Sequence, residues 1–285
     1  MTDTHSEHNF SGETPLPGVF SVDVEDWYQG IELPMSTWGQ FKSRIERSMQ
    51  RILDLMEAHK VTATCFILGK VAEEHPQLVQ RIDNAGHEVG THGYSHEKVY
   101  NLTPERFRAE LRHSIDVLES ITGKPVRGHR APYFSITDDV LWALDILVEE
   151  GIQYDSSIHP ILNWRYGIPD ADRSPSTITT PKGRQLLEVP VSTLPLPRLN
   201  VPVGGGAYFR IYPYWMQRLL LRRLQKRGDH IGFYIHPWEV DANHPRLDLP
   251  FRVRATHYYN LKSTYPKLNK LFHDFDFRSY QDVFF

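Results

Sequence analysis

From residue 18 onward, short apolar runs alternate with amphipathic helical patterns, and the polar signatures of the chain fall just after apolar runs. Gly18 to Val24 reads as a buried strand, and Phe41, Ile45, Met49, Ile52 and Met56 recur at helical spacing. Ala63 to Leu68 is the next strand. Glu73 to Ala85 reads as a helix, ended by Gly86, because glycine takes the left-handed cap at no steric cost. His87 to Thr91 is a strand. Thr103-Pro104 opens a helix with the buried stripe Phe107, Leu111, Ile115 and Leu118, and Gly123 stops it. Arg127 to Ala131 is a short strand, and Thr137 caps a helix through Val148. Gln185 to Val191 and His230 to His236 are further strands around a helix from Tyr214 to Lys226, and Tyr259 to Phe272 is a last helix. Short links between alternating strands and helices require crossover helices on a parallel sheet. The fold class is therefore α/β, and groups placed just after its strands gather at one mouth.

A length of 285 residues suits a single α/β barrel domain. Residues 1–16 read as a flexible lead-in and 17–285 as the folded domain, with no boundary for a second one. The stretch from Asn163 to Arg184 is polar and rich in proline, a surface loop beside the mouth. A net charge of −3 argues against a nucleic-acid partner, which asks for a basic face. Cys65 is the one cysteine, so no internal disulfide can form, and its apolar neighbours make it a core residue. No signal-peptide pattern and no span-length apolar stretch is visible, which makes the cytoplasm the expected location. Oligomeric state is not legible.

Two segments carry metal-ligand chemistry. His92-Gly-Tyr-Ser-His96 offers two imidazoles four residues apart, a spacing that puts both on one side of a helical turn. Asp23-Val24-Glu25-Asp26 ends the first strand with three acids. Two histidines and one carboxylate make a three-ligand site with an open position for water. Two acidic roles are needed there, one as a ligand and one as a base. Arg130-Ala-Pro-Tyr133 follows a strand, and a fixed guanidinium can orient a carboxylate and favour its charged form. Asp155-Ser-Ser157 follows another. His236 ends the strand His230 to His236 and suits a general acid, since imidazole titrates near neutrality; Asp155 and Glu239 are the next candidates for that role. Gly204-Gly-Gly-Ala-Tyr-Phe-Arg210 lacks the ending of a phosphate loop and reads as a place where backbone approaches a substrate. Trp27, Tyr28, Tyr133, Trp164 and Trp238 stand beside these signatures, and Trp27 and Trp238 are taken as sugar-stacking residues.

The ordered motifs Asp23 with its neighbouring acids, His92 to His96, Arg130 to Tyr133, Asp155 and His236 resemble those of the polysaccharide deacetylases, the carbohydrate esterase family 4 or NodB-homology enzymes. The resemblance covers roughly residues 18 to 245. Val22 to Asp26, Gly204 to Arg210, His236 to Asp241 and the tail from Tyr259 look closer to the branch associated with exosortase and exopolysaccharide clusters. It implies a distorted (β/α)7 barrel, a divalent metal, usually zinc, and removal of acetyl from an acetylamino sugar of a polymer or oligosaccharide. Carried over by motif, Asp23 is the base, His92 and His96 are ligands, and Arg130 orients the base. The Tyr133 N–H joins the oxyanion hole, His236 is the acid, and Asp155 supports His236 or the charge balance. The family pattern has two adjacent aspartates, whereas Val24 follows Asp23 here. The metal carboxylate is then Glu25 or Asp26. Strand alternation favours Glu25, the family's side-chain length favours Asp26, and Asp26 is the one chosen. An allantoinase-like or deformylase-like amide hydrolase is the alternative activity, ahead of a non-catalytic sugar-binding relative.

Overall fold

The computed structural model describes residues 17–163, 165–197 and 199–285, so the lead-in expected over 1–16 and Trp164 lie outside the described residues. Its strands are β1 (Gly18–Val24), β2 (Thr64–Ile67), β3 (Glu88–Thr91), β4 (Gly128–His129), β5 (Tyr154–Asp155), β6 (Ser176–Thr179), β7 (Gln185–Glu188), β8 (Thr193–Leu196), β9 (Leu199–Pro202), β10 (Gly232–Ile235) and β11 (Phe277–Arg278). The order β10-β1-β2-β3-β4-β5-β7 is parallel throughout, β6 adds an antiparallel edge, and β11 also pairs with β1. Seven parallel strands therefore curl into an incomplete barrel, the half-barrel form of the architecture expected from the motifs.

The gap between β7 and β10 is filled by two loop segments. Ser192 N–H donates to Gly232 O at 3.0 Å, Val203 N–H to Ser192 O at 3.0 Å, and Tyr234 N–H to Gly204 O at 2.8 Å. Gly205 lies at φ +120, and a β-carbon there would penetrate Tyr234 O. The glycine tract thus serves a close approach of backbone to β10, and Ala207 and Arg210 of the same tract line the cavity beyond the strand ends.

Crossover helices α1 (Ile45–His59), α2 (Gly69–Glu74), α3 (Pro76–Asn84), α4 (Pro104–Thr122), α5 (Trp142–Glu149), α6 (Gly206–Ile211) and α7 (Tyr214–Lys226) cover the sheet. The helix expected over 73–85 is two helices, because Pro76 has no N–H to continue the first and instead starts the second. Met49, Ile52 and Met56 of α1 and Leu111, Ile115 and Leu118 of α4 pack with Val22, Val24 and Cys65 in one continuous core. Burial of each such aliphatic side chain is worth about 1.5–3 kcal/mol. Two helices not expected from sequence, α8 (Phe251–Tyr258) leaning over the mouth and α10 (Tyr280–Phe284) tucked under the opposite end, flank α9 (Thr264–Asp274), which is the helix expected over 259–272. No helix among the described residues is long and apolar enough to cross a membrane.

Candidate metal and catalytic centre

Parallel strands deliver their C-terminal ends to one rim, and β1, β3, β4 and β10 each end in a polar group there. Asp23, Glu25, His92, His96, Tyr133 and His236 line a cavity of about 160 Å³ there. After Val24 the chain turns tightly, with Glu25 N–H bonded to Asp23 O at 3.0 Å. That turn separates the three acids. Asp23 stays on the strand and Glu25 swings into the cavity. Asp26 turns away to the N-terminus of α1, where its Oδ2 accepts Arg44 N–H at 2.9 Å and Ile45 N–H at 3.3 Å.

Asp26 is therefore corrected from ligand to helix cap. Donors at a helix start lack partners inside the helix, and a carboxylate satisfies them and opposes the helix dipole. Its other oxygen accepts Trp27 N–H at 2.8 Å, which leaves the carboxylate turned from the cavity.

Glu25, His92 and His96 bring one ligand atom each within 4.8 Å of one another, all three buried. Among the described residues, Glu25 Oε2 faces His96 Nε2 at 2.6 Å and has no hydrogen-bond partner, while Oε1 accepts Trp238 Nε1–H at 2.9 Å. Gly30 makes room for this, since a β-carbon there would press on Glu25 Oε1. His92 Nδ1 bonds to Arg130 O at 2.8 Å, which fixes the proton on Nδ1 and leaves the Nε2 lone pair for a metal. Burial lowers His92 to about 4, so it is neutral at physiological pH, as a ligand must be. Burial opposes charge on Glu25, but His96, His236 and His92 hold its carboxyl far below the usual range. Two imidazoles and a bare buried carboxylate oxygen fit a divalent ion of the zinc type. The segment from His92 to His96 is a loop, not the helical turn expected, and it converges through left-handed backbone at Gly93 (φ +73) and His96 (φ +57).

On one side of this triad stands Asp23. Its Oδ1 accepts Arg130 Nη1–H at 2.7 Å. Arg130 is fully buried and all its donors are used: Nη1 also donates to Ser21 Oγ at 2.7 Å, Nη2 to Ser156 Oγ at 2.8 Å and Tyr280 Oη at 2.7 Å, and Nε to Ser156 O at 3.2 Å. The rings of Phe66 and Phe134 lie 4.5 and 5.5 Å from its guanidinium carbon. Such a charge can be buried only because it is both paired and fully bonded.

On the other side stands His236, with Nε2 at 3.9 Å from Asp23 Oδ2 and 3.8 Å from Glu25 Oε1. Its Nδ1 bonds to Glu239 Oε1 at 2.8 Å, and Arg210 Nε–H donates to Glu239 Oε2 at 2.6 Å. Burial works against charge on His236, yet Glu25, Glu239 and Asp23 outweigh it and raise the imidazole to about 9. Burial would likewise raise Glu239, but Arg210 and His236 keep it below its ordinary value.

Asp155 does not support His236. It bonds to His129 Nδ1 at 2.7 Å and accepts Ser157 Oγ–H at 2.7 Å, and Ser157 Oγ accepts Ala131 N–H at 2.8 Å. This chain shapes the Arg130–Tyr133 turn from behind. In that turn Tyr133 and Phe134 take left-handed backbone at φ +57 and +53, a strained pair for non-glycine residues. The Tyr133 ring packs 4.5 Å from that of His96 and its side chain lines the cavity. Trp238 lines it too, stacked between His236 at 5.1 Å and His257 at 4.1 Å. Trp27 does not line it: it is 1% exposed, between Tyr28, Phe41 and His244. Its wide ring fills the small satellite core under the loops, where no sugar can reach.

Glu239, Arg210 and Tyr280 carry the outer bonds of the site and were not assigned these roles from sequence. Glu239 had a signal. A glutamate three residues after a cap position with proline between is a helix-start pattern, and its Oε1 does accept His236 N–H at 3.0 Å. Arg210 and Tyr280 had none, since only the fold brings them in.

Residues 37–151 match the family described as polysaccharide deacetylase, and residues 156–285 match the family described as Domain of unknown function (DUF3473). The chain is 30% identical over 124 residues to a peptidoglycan-N-acetylglucosamine deacetylase of Bacillus cereus, a match covering 39% of this chain and 45% of that one. It is 32% identical over 113 residues to a peptidoglycan deacetylase of Helicobacter pylori, covering 40% of this chain and 38% of the relative. The chain thus spans less than half the length of either curated relative. In fold it is similar to the Puue allantoinase crystal structure, with a TM-score of 0.60 at 14% identity over 99% of this chain and 96% of that one.

Proposed function

We propose that this protein is a metal-dependent N-deacetylase that removes acetyl from an acetylamino sugar of a polysaccharide or its precursor. The observation that carries this reading is the placement of an open Glu25–His92–His96 triad between an arginine-oriented carboxylate, Asp23, and a carboxylate-backed imidazole, His236. The family match over residues 37–151 supports it.

A divalent ion, zinc in this reading, would be held by Glu25, His92 Nε2 and His96 Nε2 and would supply Lewis acidity and an acidified water. Asp23, held through Oδ1 by Arg130, presents Oδ2 to the cavity and takes the proton of the attacking water. The Tyr133 N–H, in its left-handed turn at the rim, donates to the oxyanion as the carbonyl becomes tetrahedral. His236, charged and backed by Glu239, delivers a proton from Nε2 to the departing amine. Trp238 closes the wall against which the sugar ring lies. A neighbouring cleft of about 360 Å³ shares Glu32, His96 and Tyr133 with the cavity and has room for an adjoining sugar. In this reading the enzyme works in the cytoplasm, on material for an exopolysaccharide.

Mass spectrometry of N-acetylated oligosaccharides and lipid-linked acetylamino sugars, before and after incubation with zinc-loaded protein, tests this. Loss of single acetyl groups with release of acetate is the expected result. Release of formate, or opening of a cyclic ureide with no acetate from any sugar, assigns the site to a different amide.

A further inference from the structure

Arg130 is a rigid fork with one prong on Asp23, so whatever holds the other prong sets where the base points. That prong is held from the far end of the chain. Tyr280 Oη accepts Arg130 Nη2–H at 2.7 Å and lies 3.2 Å from Ser156 Oγ. Ser156 spends its own hydroxyl proton on Val189 O at 2.7 Å. It also accepts from Arg130 Nη2. The hydroxyl proton of Tyr280 therefore goes to Ser156, and a lone pair of Tyr280 is left facing the guanidinium.

The phenol is built in rather than merely adjacent. It is fully buried, stacked on Tyr154 at 5.3 Å with planes 13° apart, and edge-on to Phe66 at 5.7 Å. Its backbone N–H donates to Thr64 Oγ1 at 2.9 Å, at the base of β2. Just before it, β11 runs parallel to the start of β1, pairing Phe277 with Gly18 and Arg278 with Val19. Ser279, directly before it, accepts Asp282 N–H through Oγ and caps α10, which Tyr280 opens. The segment 277–285 therefore closes the bottom of the barrel, and one side chain from it reaches up the axis to the charge that orients the site. A ring alone would fill that space. Among the described residues, the hydroxyl's hydrogen-bond partners are Arg130 and the serine that also binds Arg130.

We propose that Tyr280 is a positioning residue of the reaction, fixing the Arg130 guanidinium and through it the Asp23 carboxylate; this rests on the deacetylase reading above. It assigns to the C-terminal segment a part in the chemistry beyond closing the barrel.

The test is Tyr280→Phe in the full chain, loaded with zinc and assayed for acetate release from N-acetylated chitooligosaccharides. The shape of the ring is unchanged, and one bond to a buried charge is lost. The expected result is a fall in kcat of about tenfold or more, with KM and zinc affinity unchanged. In an Arg130→Lys background the same change should cost nothing further, since the fork it steadies is gone. Wild-type kcat in Tyr280→Phe, full additivity with Arg130→Lys, or a matching loss of zinc would each overturn the proposal. If Tyr280→Phe does not fold, 3-fluorotyrosine at 280 carries the same test, because it weakens the acceptor and keeps the hydroxyl; the expected result is a smaller fall in kcat. Absence of acetate release by wild type would reject the functional reading alone. Tyr280 is then judged by NMR of the Arg130 Nη groups. Separate, slowly rotating Nη signals in wild type that merge in Tyr280→Phe support the proposal, and identical signals in both overturn it.

Discussion

One oxygen of Glu239 holds His236 twice, accepting its backbone N–H at 3.0 Å and contacting its Nδ1 at 2.8 Å, while the other oxygen is gripped by Arg210 at 2.6 Å. The imidazole is thereby fixed in place and in tautomer, with Nε2 toward the cavity. Its raised value of about 9 follows from Glu25, Glu239 and Asp23 prevailing over burial. The acid role needs the protonated ring, so kcat should fall as pH climbs through the His236 value. Glu239→Gln keeps the shape and removes a charge, and should move that basic limb to lower pH and reduce kcat. The sign for stability is the same. A folded value above the unfolded 6.5 gives stability that is full below about pH 6.5 and lost as pH rises toward 9. Rate profiles and urea melts between pH 6 and 10 check both; an unmoved basic limb in Glu239→Gln would mean another group titrates there.

Glu25 and Asp26 are adjacent in sequence and separate in role. Glu25→Gln should abolish tight zinc binding and leave folding nearly intact, because it keeps the acceptor for Trp238. Asp26→Ala should bind zinc as wild type does and lose about 1–2 kcal/mol of stability through loss of the α1 cap. Calorimetric zinc titration and urea denaturation of the two variants separate these outcomes. Zinc loss in Asp26→Ala alone would return the ligand role to Asp26.

Asp23→Asn should retain zinc and lose about 10²–10⁴-fold in kcat, the usual worth of a positioned base. It also leaves the Arg130 charge without a counter-ion in a dry site, so the melting temperature should drop although nothing has changed in size. Zinc titration with the kinetic assay decides it. Loss of zinc together with activity would make Asp23 a ligand.

Gly205→Ala should destabilise the fold although Gly205 itself does not line the cavity. The backbone there is at φ +120 and a β-carbon would overlap Tyr234 O, so β10 must shift away from the segment that fills its free edge. A loss of more than about 2 kcal/mol in urea denaturation is expected, as for other substitutions at special backbone conformations. A neutral effect would mean that the tract can relax and that its glycines serve another purpose.

Much of this arrangement was legible because period and punctuation are local. The strand from Gly18, the α1 and α4 stripes and the run from His87 into His92 could be read from spacing alone, and the strand ends located the cavity. The choice between Glu25 and Asp26 was not local. It depends on a turn after Val24 that breaks strand alternation and on a helix N-terminus at Arg44, contributed 18 positions later, that claims Asp26. The burial of Trp27 is not local either, since an aromatic beside an acid looks the same in sequence whether it faces a sugar or a satellite core. Asp155 went to His129 because β4 and β5 are neighbours in the sheet, a pairing that no motif order reveals. The helix expected over 73–85 failed at Pro76, which sequence alone could have caught.

The place of β1 between β2 and β10 bears on how the molecule is made. Glu25 and Trp238 bond across 213 positions, and Phe277 pairs with Gly18 across still more. Contacts so distant in the chain close slowly, because the intervening loop must be ordered first. During synthesis the first strand therefore emerges long before its partners on that side exist, with an apolar run and an unpaired edge exposed to other nascent chains. A ribosome-bound chain ending before residue 232 should need a holding chaperone, and should release it only when β10 has been added.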